Sequence, residues 1–167
     1  MAVAAYLAVP KGKTAQPHVS QRQIQAMERA ALRRLHLPRD FKRLAKGCKV
    51  GLCYQTSAPT GEVEALMPQL LRSAGMQPPG RLRAAEPVAL LAAAHWATAS
   101  RDPLVIACKP VSSSPSDPLK MCQDAGRIGP TLVNVLVRPE IACEKRKCVN
   151  LRKTDVVAWA VALPDGT

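Results

Sequence analysis

Six cysteines, placed as Cys48 and Cys53, Cys108 and Cys122, and Cys143 and Cys148, constrain this chain more than any other feature. The first and last pairs are C-x4-C. Three chemistries fit them. Cys48, Cys53, Cys143 and Cys148 could form a four-thiolate zinc site, with paired spacings at the edge of the usual range. Against zinc, neither loop has a glycine-rich knuckle, and a regular helix turns positions i and i+5 to different faces. All six could instead be buried free thiols, the ordinary state of cysteine in an intracellular chain. The third reading is disulfides that stitch short helices together. A Cys108–Cys122 bridge would be worth about 3 kcal/mol on the chain-entropy estimate, and would persist only in an oxidising compartment. Spacing does not fix the connectivity, since six cysteines allow 15 full pairings.

Composition makes the need for such staples plausible. The 167 residues suffice for one domain, and hydrophobic residues make up 47% of them, but aromatics only 3%. A core built largely of alanine has few large anchors, which suits a subunit that leans on neighbours. Twenty-four Lys and Arg against 12 Asp and Glu give a net charge of +12, which favours polyanionic partners such as rRNA or acidic lipid headgroups. General solubility explains the same charge. No run approaches the roughly 20 apolar residues of a membrane-spanning helix. The start "MAVAAYLAVPKGK" has its first basic residue at Lys11, so it reads as neither a secretory signal nor a transit peptide.

Helix signals dominate the chain and predict a mainly α fold of short helices joined by Pro-, Gly- and Ser-rich turns. Ser20 is a candidate N-cap with Gln23 as its capping-box partner; Ile24, Met27, Ala31 and Leu35 form a stripe, and Pro38 stops it. Asp40 to Gly47 reads as a further turn or two. A second helix runs through Val63, Leu66, Met67, Leu70 and Leu71, with a kink expected at Pro68. Val88 to Thr98 reads as an alanine-rich helix after Pro87. Asp102-Pro103 and Asp117-Pro118 read as N-caps with proline at the first helical position. Residues 131–137, "TLVNVLV", fit a strand or a buried helix equally. The two last segments, "PEIACEKRKCVNLRK" and "TDVVAWAVALP", are predicted helical. The expected organisation is an extended arm over 1–19, a helical extension over 20–76, a linker over 77–86 and a cysteine-containing helical region over 87–167.

The run "VALLAAAHW…ACK…SDPLKMCQDAGRI" resembles the twin helix–Cys-helix (CHCH) accessory subunit of mitochondrial respiratory complex I, over roughly residues 87–130. The matching residues are Ala94 and His95, Cys108 and Lys109, Asp117 and Pro118, Cys122, and Gly126 with Arg127. The family spacing is C-x9-C on antiparallel helices, whereas this chain has C-x13-C, and the partner cysteines expected before Cys108 and after Gly126 are missing. The resemblance implies a helical hairpin pinned by disulfides in the second half. It also implies a non-catalytic subunit on the intermembrane-space side of the inner membrane, clamping neighbouring subunits of the complex, with oxidative trapping of cysteines as its route of import.

The alternative is a mitochondrial ribosomal protein in the matrix, holding rRNA through "RRLHLPRDFKRLAKGCK" and "CEKRKCVNLRK". Its aromatic residues, Tyr6, Phe41, Tyr54, Trp96 and Trp159, are too scattered for a base-stacking platform. An enzyme is the weakest reading. His18, His36 and His95 stand in no motif with a nucleophile or carboxylate, and "GCKVG" lacks the ending of a phosphate-binding loop. The expectation is therefore no catalytic residue, no cofactor and no small-molecule substrate.

Overall fold

Ser20 caps the first helix as its sequence predicts. Its hydroxyl accepts from the Gln23 backbone N–H at 3.3 Å, and its own N–H donates to Gln23 Oε1 at 2.8 Å. The computed structural model describes residues 19–46, 48–80, 101–111, 119–145 and 147–163. Within them the order is α1 (Gln21–Arg33), β1 (Lys42–Arg43), β2 (Leu52–Thr56), α2 (Thr60–Ser73), β3 (Val105–Pro110), β4 (Lys120–Ile128), β5 (Thr131–Glu144) and β6 (Lys147–Ala162). The strands form one six-stranded sheet in the order β1-β2-β6-β5-β4-β3, with every neighbouring pair antiparallel.

The mainly helical expectation is thus corrected: the described residues hold two helices against six strands. The disulfide-pinned helical hairpin is replaced by a meander, β3-β4-β5-β6. Cys108 and Cys122, which the CHCH resemblance puts on helices, face each other on adjacent strands. Asp102 is not a helix cap. Its Oδ1 accepts from the Leu104 N–H at 3.0 Å, an Asx turn that feeds β3. The same Asp-Pro chemistry serves a turn and a helix start, which is why the sequence pattern misleads. The turn expected from Asp40 becomes strand β1, and the two C-terminal segments predicted helical become the long hairpin of β5 and β6. The second helix is found over Thr60–Ser73 as one continuous element with Pro68 inside it. The alanine-rich helix expected over Val88 to Thr98, the Asp117-Pro118 cap and the arm over residues 1–18 lie outside the described residues.

Both helices cover one face of the sheet. Register places Val133, Val135 and Val137 opposite Ala160, Ala158 and Val156, so these side chains share a face. Val63, Met67 and Leu71 of α2, with Ala31 of α1 and Leu35 and Phe41 beyond it, pack on that face as one cluster. Met67 and Leu71 are fully buried, and each such side chain contributes about 1.5–3 kcal/mol of burial. The core is therefore valine, leucine and methionine rather than aromatic, as the composition requires. On the opposite face Ala125 and Leu132 pack with Ile106 and Leu163. From the first half of the chain β2 pairs along β6, from Leu52↔Ala158 to Thr56↔Thr154. Gly51 permits that approach: it has φ +64°, and a Cβ there would lie 2.0 Å from the Ala158 carbonyl oxygen.

Candidate functional site

All six cysteines are bonded, as Cys48–Cys53, Cys108–Cys122 and Cys143–Cys148. The zinc set Cys48, Cys53, Cys143 and Cys148 is therefore consumed in two local bridges, and the free-thiol alternative falls with it. Two regions around these bridges carry chemistry.

The first is the distal half of the β5–β6 hairpin. β4 accompanies β5 only as far as Val137, and β2 accompanies β6 only as far as Thr154. Beyond Pro139 and Thr154 the two strands pair with each other alone among the described strands, through Ile141↔Asn150, Ala142↔Val149 and Cys143↔Cys148. An isolated two-stranded ribbon is marginally stable in water. Here the Cys143–Cys148 bridge closes its tip, and its base is held by Gln55, whose Nε2 donates to Glu140 Oε2 at 3.1 Å and to Asp155 Oδ1 at 3.0 Å. A bulge at Arg152, with φ +55° and its N–H on Asn150 Oδ1 at 2.9 Å, bends β6 at the same level. The ribbon exposes Val149 (61%) and Leu151 (43%) beside Lys145, Arg152 and Lys153, all exposed. Its sequence, "CEKRKCVNLRK", carries five Lys and Arg against one Glu.

The second region lies under α2. On β4 the helix-facing positions are Lys120, Cys122, Asp124 and Gly126, set by register against Val137, Val135 and Val133. Asp124 is 1% exposed, and neither carboxyl oxygen has a hydrogen-bond partner. Burial pushes its pKa up to about 8, and the like charges of Glu64 and Asp102 add to the effect. Glu64, on α2, has Oε1 buried without a partner, and burial raises its pKa to about 7 against the opposing pull of Lys120. The Glu64 carboxyl senses both Lys120 and Asp124, which flank Cys122 on the same strand face. Asp102 behaves oppositely. Arg72 Nη2 donates to both of its oxygens at 2.6 and 2.7 Å, which with the Leu104 N–H holds its carboxyl below the usual range. Asp124, kept protonated at neutral pH, can donate a proton there, which a surface aspartate cannot.

Of the residues singled out from the sequence, the structure joins the six cysteines but not the rest of the family-like pattern. Lys109 is exposed on β3. Gly126 lies under Met76, and Arg127 exchanges backbone hydrogen bonds with Gln77 at 2.7 and 2.9 Å. Ala94, His95, Asp117 and Pro118 lie outside the described residues. Sequence reasoning missed Glu64 and Asp124 altogether. Once β4 is known to be a strand, alternation puts Asp124 on the helix-covered face with Cys122; without that knowledge "MCQDAGR" gives no such signal. Comparison with family models, with curated proteins and with solved structures finds no match to this chain.

Proposed function

We propose that this protein is a non-catalytic accessory subunit that works in an oxidising compartment and docks to an acidic neighbour through its β5–β6 ribbon. The observation that carries the reading is the ribbon itself: two exposed apolar side chains, Val149 and Leu151, on a stapled element that also exposes Lys145, Arg152 and Lys153 and projects past the sheet. An apolar centre with a charged rim is the anatomy of a protein–protein contact. The three bridges support an oxidising setting, because such bonds rarely survive where thioredoxin and glutathione act. The intermembrane-space side of the mitochondrial inner membrane, and a place in respiratory complex I, satisfy both conditions. This reading stands on the ribbon and the bridges rather than on the CHCH resemblance, whose helical hairpin gives way to strands among the described residues. The rRNA alternative belongs to a reducing matrix and is disfavoured for the same reason.

The test uses protein in its native membranes, solubilised in mild detergent and run on native gels. Wild type should migrate with a large assembly at moderate salt, and V149S/L151S should fall to the free position while keeping an unchanged melting temperature. Free migration of the wild type, or co-migration of the variant, would overturn the docking reading. Alkylation with and without reduction supplies the second arm: six thiols reactive before reduction would refute the oxidising compartment.

A further inference from the structure

The three bridges occupy different surroundings. Cys48–Cys53 closes the short turn into β2, and Cys143–Cys148 sits at an exposed ribbon tip. Cys108–Cys122 alone joins two strands at a point where a buried acid, Asp124, shares the strand face. Its two sulfurs are also unequal. Cys122 is buried at 5% exposure on an interior strand, whereas Cys108 is half-buried on β3, the edge of the sheet. A reductant reaches Cys108 first, which makes Cys122 the leaving sulfur. A thiolate leaving into a desolvated position is costly unless it is protonated as it departs. Asp124 stands two residues along β4 on the same face, about 6.7 Å away along the strand. Among the described residues neither of its oxygens makes a hydrogen bond, so its proton is not committed elsewhere.

We propose that Cys108–Cys122 is a thiol–disulfide exchange site for an external dithiol, with Asp124 the group that protonates the departing Cys122 sulfur. One thiolate of the dithiol attacks Cys108 Sγ and forms a mixed disulfide. The Sγ–Sγ bond breaks, its electron pair goes to Cys122 Sγ, and the Asp124 carboxylic acid passes its proton there. The resulting Asp124 carboxylate is reprotonated from solvent, and the dithiol's second thiol loses its proton to solvent. That sulfur then attacks its partner and closes the dithiol to a disulfide, releasing Cys108 as a thiolate that is protonated from solvent. The protein bond gains two electrons and two protons, and the dithiol loses them. The acid is available because burial keeps it protonated at neutral pH. Glu64 of α2 and Asp102 before β3 hold it so by like charge. Lys120 on β4 acts on Glu64, and Arg72 on α2 is occupied with Asp102. Glu64 is thus a positioning residue, acting on the sulfur through Asp124.

The experiment follows dithiothreitol reduction of each bond in the intact protein by differential alkylation and mass spectrometry, from pH 6 to 9.5. Rates are expressed per dithiol thiolate, which removes the reagent's own titration. The wild-type rate for Cys108–Cys122 should fall about tenfold as Asp124 loses its proton, a modest share of what a positioned acid can supply. D124N should be about tenfold slower than wild type at pH 7 and flat with pH. E64Q should move the wild-type fall to lower pH, and it keeps the proposal testable if D124N does not fold. A D124N protein as fast as wild type at pH 7 would mean that only the charge of Asp124 matters, and would overturn the proton transfer. So would a wild-type rate per thiolate that rises with pH, because local opening rather than protonation would then limit reduction. An E64Q profile that coincides with wild type removes the role of Glu64.

Discussion

Replacing Asp124 with asparagine should make this protein more stable in base and leave it nearly unchanged in acid. The carboxyl faces the core side of the sheet, 1% exposed and unpartnered. Its pKa rises from 3.8 to about 8 on folding. In the unfolded chain Asp124 ionises near pH 4, whereas the folded protein must keep it protonated until about pH 8. Across that window the unfolded state binds fewer protons, so stability falls as pH rises; below the window and above it the contribution is constant. At about 1.36 kcal/mol per pH unit, roughly four units give up to about 6 kcal/mol lost by pH 8 and beyond. That is a large part of the 5–15 kcal/mol that stabilises a typical domain. Glu64 titrates in the same direction, over a window ending near pH 7, with a smaller effect because solvent reaches it. D124N keeps the side-chain shape but cannot ionise. Urea unfolding at pH 4 and pH 9 measures both proteins. They should agree within about 2 kcal/mol at pH 4, where both side chains are neutral and equally short of partners. At pH 9 the variant should be several kcal/mol more stable, up to about 6 kcal/mol. A difference of the same size at both pH values, or a variant weaker than wild type at pH 9, would refute the claim that Asp124 is folded in the neutral form.

Two further outcomes follow from the packing. Gly126→Ala should cost about 1–3 kcal/mol, because its Cβ would stand 2.7 Å from the Cβ of buried Met76; differential scanning calorimetry reads this as a lower melting temperature. The double variant C143S/C148S should lose only about 2 kcal/mol, since the loop it closes is short. Hydrogen exchange should accelerate at the amides of Ile141, Ala142 and Val149 while those of Val133, Val135 and Val137 stay protected.

The parts of this fold that the sequence reveals are those whose signals are local. Ser20 and Gln23 fix the start of α1 by a reciprocal hydrogen bond, and the apolar stripe of α2 survives Pro68 because the pattern spans four turns. The sheet was hidden by burial on two faces. In β6 the alternating sets Val156, Ala158, Ala160 and Val157, Trp159, Val161 are all apolar, so the period of two disappears and "VVAWAVA" mimics a buried helix. In the ribbon the signal is too short instead: of "CEKRKCVNLRK" only Val149 and Leu151 are large and apolar, too few to mark a period of two. Alanine, abundant throughout, favours helix locally but is overridden where long-range pairing decides. The cysteine pairs were legible as pairs, but their neighbours Asp124 and Glu64 were not, because they come together only when α2 crosses β4.

The bridges sit where noncovalent pairing runs out, and this decides what breaking each one would do. β1 is a two-residue strand, so the edge at β2 is barely covered, and Cys48–Cys53 tightens the turn that enters it. Among the described residues the ribbon beyond Pro139 has no third strand, and Cys143–Cys148 closes its tip. Each spans a sequence separation of 5, which limits its effect on the unfolded chain to about 2 kcal/mol; these two bonds hold local shape. Cys108–Cys122 spans 14 residues and ties the edge strand β3 to β4. Yet the residues that anchor β4, from Gly126↔Val133 to Cys122↔Val137, remain hydrogen-bonded to β5 without it, and the valine cluster under both helices does not include either sulfur. Opening this bond should therefore loosen β3 at most, since β3 keeps its own pairing with β4, and leave the sheet closed from β4 to β2. A redox change at the sheet edge is then separable from the docking ribbon, which leaves the sheet from β5 and β6 and shares no strand with it.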